Sequence, residues 1–324
     1  MMKRRSFLTS AAAVLSAAAL PRDAFAQAFP AKPIKIIVPF PPGGPADTAA
    51  RIPQAGMEKA LGQPIVIENV AGAAGAVGAN RVKQAEPDGY TLLQAASPHT
   101  TNAAVKPDAN VDLLRDFAPI GQTGNSVYTL CATKERGIKT FAEMVAMAKA
   151  KPGELSIGSV GVGSAHHLIA EMLKSAAGIE LTHVPYRGEA PAIPDLVAGR
   201  IDLMFLTTAK PLIDDGRVIG IGVTSDGPWF NLPNVKPLVE LGLKDFVVPG
   251  WNGMMAPKGT PPAVLAKLSE ALSAALGTDA AARGFNAMGF KPGAGTPGPM
   301  AKQIEADMRL FTTVIRERNL KFDS

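Results

Sequence analysis

The sequence predicts an α/β protein of two lobes, each a parallel sheet flanked by helices. Three observations predict it. Short β-branched apolar runs alternate with helix-like stretches, the rhythm of strands joined by crossover helices. The chain has 324 residues, more than one hydrophobic core usually serves, so two cores are expected. The rhythm also starts twice, each time as strand, Gly-rich loop and helix: once through PFPPGGPAD, residues 39–47, and again through GSVGVGS, residues 158–164.

In chain order, Ile34, Ile36, Ile37 and Val38 lie between Pro33 and Pro39 and read as a buried strand. The loop that follows ends at a helix start. Pro53 then falls about one and a half turns into that helix, where proline costs about 3 kcal/mol. Either the regular helix begins only at Ile52, with Pro53 at its first position, or residues 46–52 form a separate turn. Residues 64–68 give a second strand, followed by the Gly/Ala loop GAAGAVG, and residues 90–96 a third, led in by the turn Pro87-Asp88-Gly89. DFAPIGQTG and SVYTLCATK are consecutive apolar runs, where the chain crosses to the second lobe. Thr140 and Glu143 form a capping box for the helix FAEMVAMAKA, which Lys151-Pro152-Gly153 stops. Ser164 is placed as the N-cap of the helix after the second Gly-rich loop. ELTHVPY, IDLMFL and VIGIGVTS are strands, with a helix around residues 192–198. The return lies between Pro228 and Trp251, after which a helix is capped by Thr260 with Pro261 at its first position. A last helix, residues 297–318, follows Thr296. The lobes are therefore residues 27–123 with 251–324, and residues 124–250.

The first 26 residues stand apart. Lys3-Arg4-Arg5, the apolar run 7–20 and Ala24-Phe25-Ala26 spell an export signal cleaved after Ala26. An apolar run of about 14 residues is short for a bilayer, which needs about 20. The Arg pair before Ser-Phe-Leu looks like a twin-arginine signal, although the general secretory route accepts Arg pairs too. The expected location is the periplasm. Without Lys3, Arg4, Arg5, Arg22 and Asp23, 29 basic and 27 acidic residues remain, so the formal charge falls from +5 to +2. No basic cluster remains to argue for nucleic acid. Cys131, the single cysteine, can form no internal disulfide and reads as a packing residue.

Motifs for chemistry are sparse. GAAGAVG has the spacing G-x-x-G-x-x-G, and no acid ends the next strand, so a dinucleotide cofactor is not expected. His166 and His167 are adjacent, about 100 degrees apart on a helix, and cannot chelate one metal as an i, i+4 pair would; neither metal nor cofactor is expected. Ser164 lacks the second glycine of a nucleophile elbow. Asp47, Glu68 and Asp202 sit near strand ends as capping or pairing groups, with acid/base work the other reading. The two Gly-rich loops are the stronger signal, since open sheets bind ligands beyond the carboxyl ends of their strands and helix starts offer N–H donors to an anion.

KPIKIIVPFPPGGPADTAAR, LGQPIVIEN, PDGYTLL, GSVGVGSAHHL, THVPYRG, GRIDLMF, GVTS and WNGMMAPKGTP together resemble, in order and spacing, the Bug proteins, the extracytoplasmic solute receptors of tripartite tricarboxylate transport. The resemblance implies a type II periplasmic-binding-protein fold, two α/β lobes joined by a hinge with a ligand cleft between them. It implies no catalysis, a carboxylate-bearing ligand, delivery to membrane transporter subunits and a monomer. It places the ligand's carboxylate against Phe40, Pro42, Gly43, Gly44, Ala46 and Asp47 and against Gly161, Val162, Gly163, Ser164 and His167. Ser97, Phe205 and Thr207 fall along the rest of the ligand, with Asp202 and Tyr186 as supports. The family's usual Glu-Asn-Arg-x-Gly-Ala-Gly-Gly reads Glu68-Asn69-Val70-Ala71-Gly72-Ala73-Ala74-Gly75 here, without the Arg. A sensory receptor of the same fold, or an exported enzyme using Asp47 or His167 on an organic acid, are the other readings.

Overall fold

The computed structural model describes residues 29–105 and 111–317; the export signal and its cleavage point lie outside the described residues. The chain runs β1 (Ile34–Val38), α1 (Pro45–Leu61), β2 (Ile65–Asn69), a 3-10 turn (Ala73–Gly75), α2 (Ala76–Lys83), β3 (Thr91–Ala96), α3 (Pro98–Val105), α4 (Leu113–Asp116) and β4 (Phe117–Val127). It continues β5 (Thr129–Thr133), α5 (Phe141–Ala150), β6 (Ser156–Ser159), α6 (Ala165–Ala177), β7 (Thr182–Pro185), α7 (Glu189–Val197), β8 (Leu203–Leu206), α8 (Ala209–Asp214) and β9 (Val218–Val223). It ends with β10 (Pro249–Pro257), α9 (Pro262–Leu276), α10 (Asp279–Met288), β11 (Lys291–Pro292) and α11 (Pro297–Glu317).

The strands form two sheets, ordered β11-β4-β10-β3-β1-β2 and β7-β6-β8-β5-β9. The expected all-parallel pairing is corrected. β1 is parallel to β2 and β3, and β6 to β7 and β8, but β10 runs antiparallel to β3 and β4, and β5 antiparallel to β8 and β9. The short β11 also runs antiparallel to β4; the reversed strands β5 and β10 are each the first that the chain enters after passing between sheets, β4 leading into β5 through Tyr128 alone and β10 bringing the chain back. No crossover helix within one sheet dictates their direction.

Ile34, Ile36 and Val38 of β1 pack with Ala49 and Met57 of α1 and Leu268 and Leu272 of α9, while Ile37 packs on the other face with Leu93, Met255, Met300 and Ile304. The second sheet packs Leu130, Ile157, Phe205 and Ile221 against α5 and α6, and Cys131, Met204 and Leu206 against Ala192 and Leu196 of α7. Cys131 is buried and unpaired by disulfide, as a packing residue would be. α11 belongs to both cores, for its Phe311 and Val314 enter the core of the second sheet.

Three local expectations change. α1 runs unbroken through Pro53, starting at Pro45 with Gly44 as N-cap. Burial of Ala46, Ala49, Ala50, Pro53, Met57 and Leu61 along one stripe offsets the missing hydrogen bond, and Gly56 lets α9 approach until an added Cβ would stand 2.7 Å from Ala275 Cβ. Thr260 does not cap α9: its hydroxyl donates to the Pro257 carbonyl, and Pro261 is the N-cap. The helix expected around residues 192–198 begins earlier, at Glu189, with Gly188 as N-cap. The capping box at Thr140 and the Ser164 N-cap are present.

Candidate ligand-binding site

The first wall is the β1–α1 turn. The Gly43 amide, at φ +77°, donates to Asp47 Oδ2 at 2.9 Å, and Arg51 Nε donates to the same oxygen at 2.9 Å. Asn69 Nδ2 donates to Asp47 Oδ1 at 2.9 Å and to the Phe40 carbonyl at 3.0 Å. Burial by itself would push the Asp47 carboxyl up; its bonds to Arg51, Gly43 and Asn69 outweigh this and hold it below the ordinary aspartate value. Asp47 thus locks the turn. Gly44 has no side chain to cap the helix and Pro45 has no N–H, so the first-turn amides of α1 are left without a side-chain partner at the end that favours negative charge.

The opposite wall is the start of α7. It repeats the device: Gly188 is the N-cap and provides no side-chain bond. The walls touch, since a Cβ on Gly188 would lie 2.8 Å from Pro41 Cδ. Glu189 is 2 % exposed, and its Oε1 accepts from the Thr207 amide at 2.9 Å and the Thr207 hydroxyl at 2.7 Å. Its Oε2 accepts from the Thr208 hydroxyl at 2.9 Å and the Thr208 amide at 3.3 Å. His166 Nε2 lies 2.9 Å from Oε1. Burial opposes the Glu189 charge, yet the bonds from His166 and Thr207 prevail and hold its carboxyl below the usual glutamate value. It is an ionised carboxylate.

Between the walls lies a cleft of about 440 Å³, counting its open mouth, lined from α1 by Gly44, Pro45 and Ala46, and from α7 by Gly188, Glu189 and Ala190. Phe40, Pro41, Val160 and Thr207 line it further, and Ala96, Ser97, Pro98, Ser126, Tyr128, Trp251 and Asn252 close its floor. Ser97 Oγ accepts from the Trp251 amide at 2.8 Å, and Trp251 Nε1 donates to Asp307 Oδ2 at 2.7 Å. Burial pushes the Asp307 carboxyl up to about 6. The Tyr128 ring meets His166 edge-on at 5.0 Å and 88°. Three buried polar atoms of this lining, Ser126 Oγ, His166 Nδ1 and Asn252 Oδ1, have no hydrogen-bond partner among the described residues. Buried polar groups are nearly always paired, so three orphans on one cleft mark where a ligand or water bonds.

Of the residues expected from sequence, Phe40, Gly44, Ala46, Ser97 and Thr207 line the cleft. Pro42, Gly43 and Asp47 form the turn behind it. Phe205 is fully buried in the second core, stacked 6.4 Å from Phe246. The loop of Gly161, Val162, Gly163 and Ser164 does not line it either; Gly161 and Val162 border a separate pocket with Gly72, Ala73 and Ala74, and three of the loop's amides are spent locally. The Gly161 amide donates to Ser159 Oγ at 3.1 Å, that of Gly163 to His167 Nδ1 at 3.1 Å, and that of Ser164 to the Gly161 carbonyl at 3.2 Å. His167 stacks on His183 with ring centres 3.8 Å apart, and burial pushes the two rings down to about 3 and about 4. This loop instead meets the first half: a Cβ on Gly161 would lie 3.7 Å from Ala74 Cβ, and one on Gly163 3.1 Å from Val105 Cγ1. Asp202 accepts from the Ser156 amide and hydroxyl, both at 2.8 Å, and pairs with Arg136; Tyr186 donates to Asp195 at 2.9 Å.

Sequence reading missed His166, Glu189, Tyr128, Ser126, Trp251 and Asn252. A local signal for the α7 start was present in PYRGEAP, where Gly188 precedes an acidic residue and Pro191 stands within the first turn.

Comparison with known proteins agrees with this architecture. The family described as "Tripartite tricarboxylate transporter family receptor" matches residues 49–320. An Agrobacterium vitis protein described as the UPF0065 protein in the TAR-I ttuE-ttuC' intergenic region is 37% identical over 94% of this chain and 90% of its own length. BugT of Bordetella pertussis is 32% identical over 91% of this chain and 92% of its own. Among solved structures, the periplasmic binding protein BugD superposes with TM-score 0.85 at 31% identity, covering 90% of this chain and 99% of its own. MatC from Rhodopseudomonas palustris with bound malate gives TM-score 0.84 at 31% identity, over 89% of this chain and all of its own. A second R. palustris protein, solved with adipate, gives TM-score 0.84 at 31% identity, over 89% and 97%. The chain has the fold of the Bug periplasmic binding proteins and belongs to the tripartite tricarboxylate transporter family of receptors.

Proposed function

We propose that the chain is a periplasmic receptor that captures a small carboxylate-bearing metabolite by closing two lobes on it and hands it to a membrane transporter of the tripartite tricarboxylate type. The lobes are residues 27–123 with 251–324 and residues 124–250, and residues 1–26 are removed on export. One observation supports this above others: two helix starts, each with a glycine N-cap and no side-chain cap, open on the same cleft from opposite sides. Uncapped first-turn amides favour an anion. A ligand bonded to both walls binds the closed arrangement better than an open one, and that difference drives closure. Two relatives are solved with small carboxylates, one with malate and one with adipate, which supports this class of ligand.

The carboxylate is read chiefly by Gly44, Ala46 and the α7 start, with Ser97 and Thr207 beside the rest of the ligand. Calorimetric titration of the mature protein with malate, adipate and a panel of mono- and dicarboxylates tests this. Saturable binding of at least one, with a rise in melting temperature, is expected; no binding across the panel overturns it.

A further inference from the structure

Cavity, charge and hydrogen bonds meet at one side chain of the cleft. Glu189 is buried, ionised, and faces four donors from Thr207 and Thr208. An ionised carboxylate only accepts, so His166 Nε2, 2.9 Å away, must carry the hydrogen of that bond. The other ring nitrogen, Nδ1, is buried without a partner on a residue that lines the cleft. No Lys or Arg is among the described residues lining it. An anionic ligand entering beside ionised Glu189 would meet unscreened repulsion in a low-dielectric site. His166 is the side chain of the lining that can supply a positive charge there.

We infer that His166 is a specificity-determining residue of the cleft: anchored through Nε2 on Glu189, it takes up a proton as the ligand enters and donates Nδ1–H to a ligand carboxylate. This rests on the carboxylate-receptor reading above. The proton moves from solvent to Nδ1, so the bound His166–Glu189 pair is neutral and the ligand's own charge is balanced by the two helix starts and this N–H. Among groups that face His166, Tyr128 stays a neutral phenol because burial raises it. Cys131, buried behind Glu189, stays a neutral thiol for the same reason. His167, next on α6, stays a neutral ring. Asp307, behind Tyr128 and bonded to the cleft-lining Trp251, is raised by burial to about 6 and is the other group that changes charge in this range, so Asp307→Asn should keep the proton uptake assigned to His166. Glu189 and His166 are the charge-bearing pair of the lining itself. A ligand that presents only hydroxyl or apolar groups here gains nothing from the proton, so the cleft selects for a carboxylate on the α7 side.

The experiment is calorimetry of wild type and His166→Gln with malate and adipate from about pH 5.5 to about 8.5, in two buffers of different ionisation enthalpy. Glutamine keeps a donor for Glu189 and has nothing at Nδ1. For wild type, affinity should fall as pH rises, by up to about tenfold per unit, with net proton uptake on binding. His166→Gln should bind about tenfold or more weaker at the acid end, with the pH dependence and the proton uptake gone. Should that variant not fold, Glu189→Gln serves: losing the carboxylate's support must move the fall in affinity to lower pH. Binding by His166→Gln with the wild-type slope, or wild-type affinity that rises with pH as for a neutral accepting Nδ1, overturns the assignment and leaves the receptor reading standing. Absence of binding by wild type at every pH overturns both.

Discussion

Gly188 and Pro41 meet across the cleft so closely that a single methyl group would not fit between them: a Cβ on Gly188 would stand 2.8 Å from Pro41 Cδ. Gly188 has φ 161°, an extended backbone that other residues adopt, so the contact alone demands glycine. Gly188→Ala should therefore leave the melting temperature within a few degrees of wild type and weaken carboxylate binding by about tenfold or more, because it opposes closure. Small-angle scattering with saturating ligand should show a larger radius of gyration than wild type; an unchanged radius and affinity would remove the contact from the mechanism.

The two Gly-rich loops should separate under mutation. Gly44 lines the cleft, and a Cβ there would lie 3.3 Å from the Pro41 carbonyl, so Gly44→Val should cost about tenfold or more in affinity by filling the space before the α1 amides. Gly163 holds φ +76° and its amide is already bonded to His167. Gly163→Val should cost stability, about 1 to 3 kcal/mol from left-handed strain, with little loss of affinity once folded. Denaturant melts beside calorimetry decide it; equal losses of affinity would show that both loops touch ligand.

Asp47 should contribute acid-sensitive stability. Its folded carboxyl titrates below its ordinary value of 3.8, so the contribution is present above that pH and is lost as pH falls through the lower, folded value. Asp47→Asn should lower stability at neutral pH by about 1 to 3 kcal/mol, and the gap to wild type should close in acid. Urea midpoints measured against pH check the sign.

Asp307 runs the other way. Its folded carboxyl is pushed up from 3.8 to about 6, so ionising it costs stability on the order of 3 kcal/mol that is fully felt above pH 6 and absent well below 4. Asp307→Asn should gain on wild type as pH rises. Because Asp307 bonds Trp251 Nε1, tryptophan fluorescence of the wild type should titrate near pH 6, a transition that the variant lacks.

Sequence reading recovered the strands and the β1–α1 turn because their signals are local: a β-branched run ends in prolines, and glycines precede a helix. It placed the second wall on Gly161 to Ser164 because that loop repeats the local pattern. What brings Gly188, rather than that loop, to the cleft is not local. Gly163 spends its amide on its own helix, four residues away, while Gly188 reaches Pro41 from the far side of the cleft. Pairing direction was hidden for a similar reason, since nothing within β4, β5 or β10 says that they carry the chain between sheets. His166 and Glu189 lie 23 residues apart and announce themselves only when the fold brings them to 2.9 Å.

α11 buries Met300 and Ile304 in the core of one sheet and Phe311 and Val314 in that of the other. A helix pinned at both ends behaves as a rigid axle. Drawing the two halves apart would pull one end of it out of its core, at the cost of exposing those apolar side chains. In the proposed receptor, any closing of the two halves on a ligand would have to turn about the chain's last helix, since that helix is anchored in both cores.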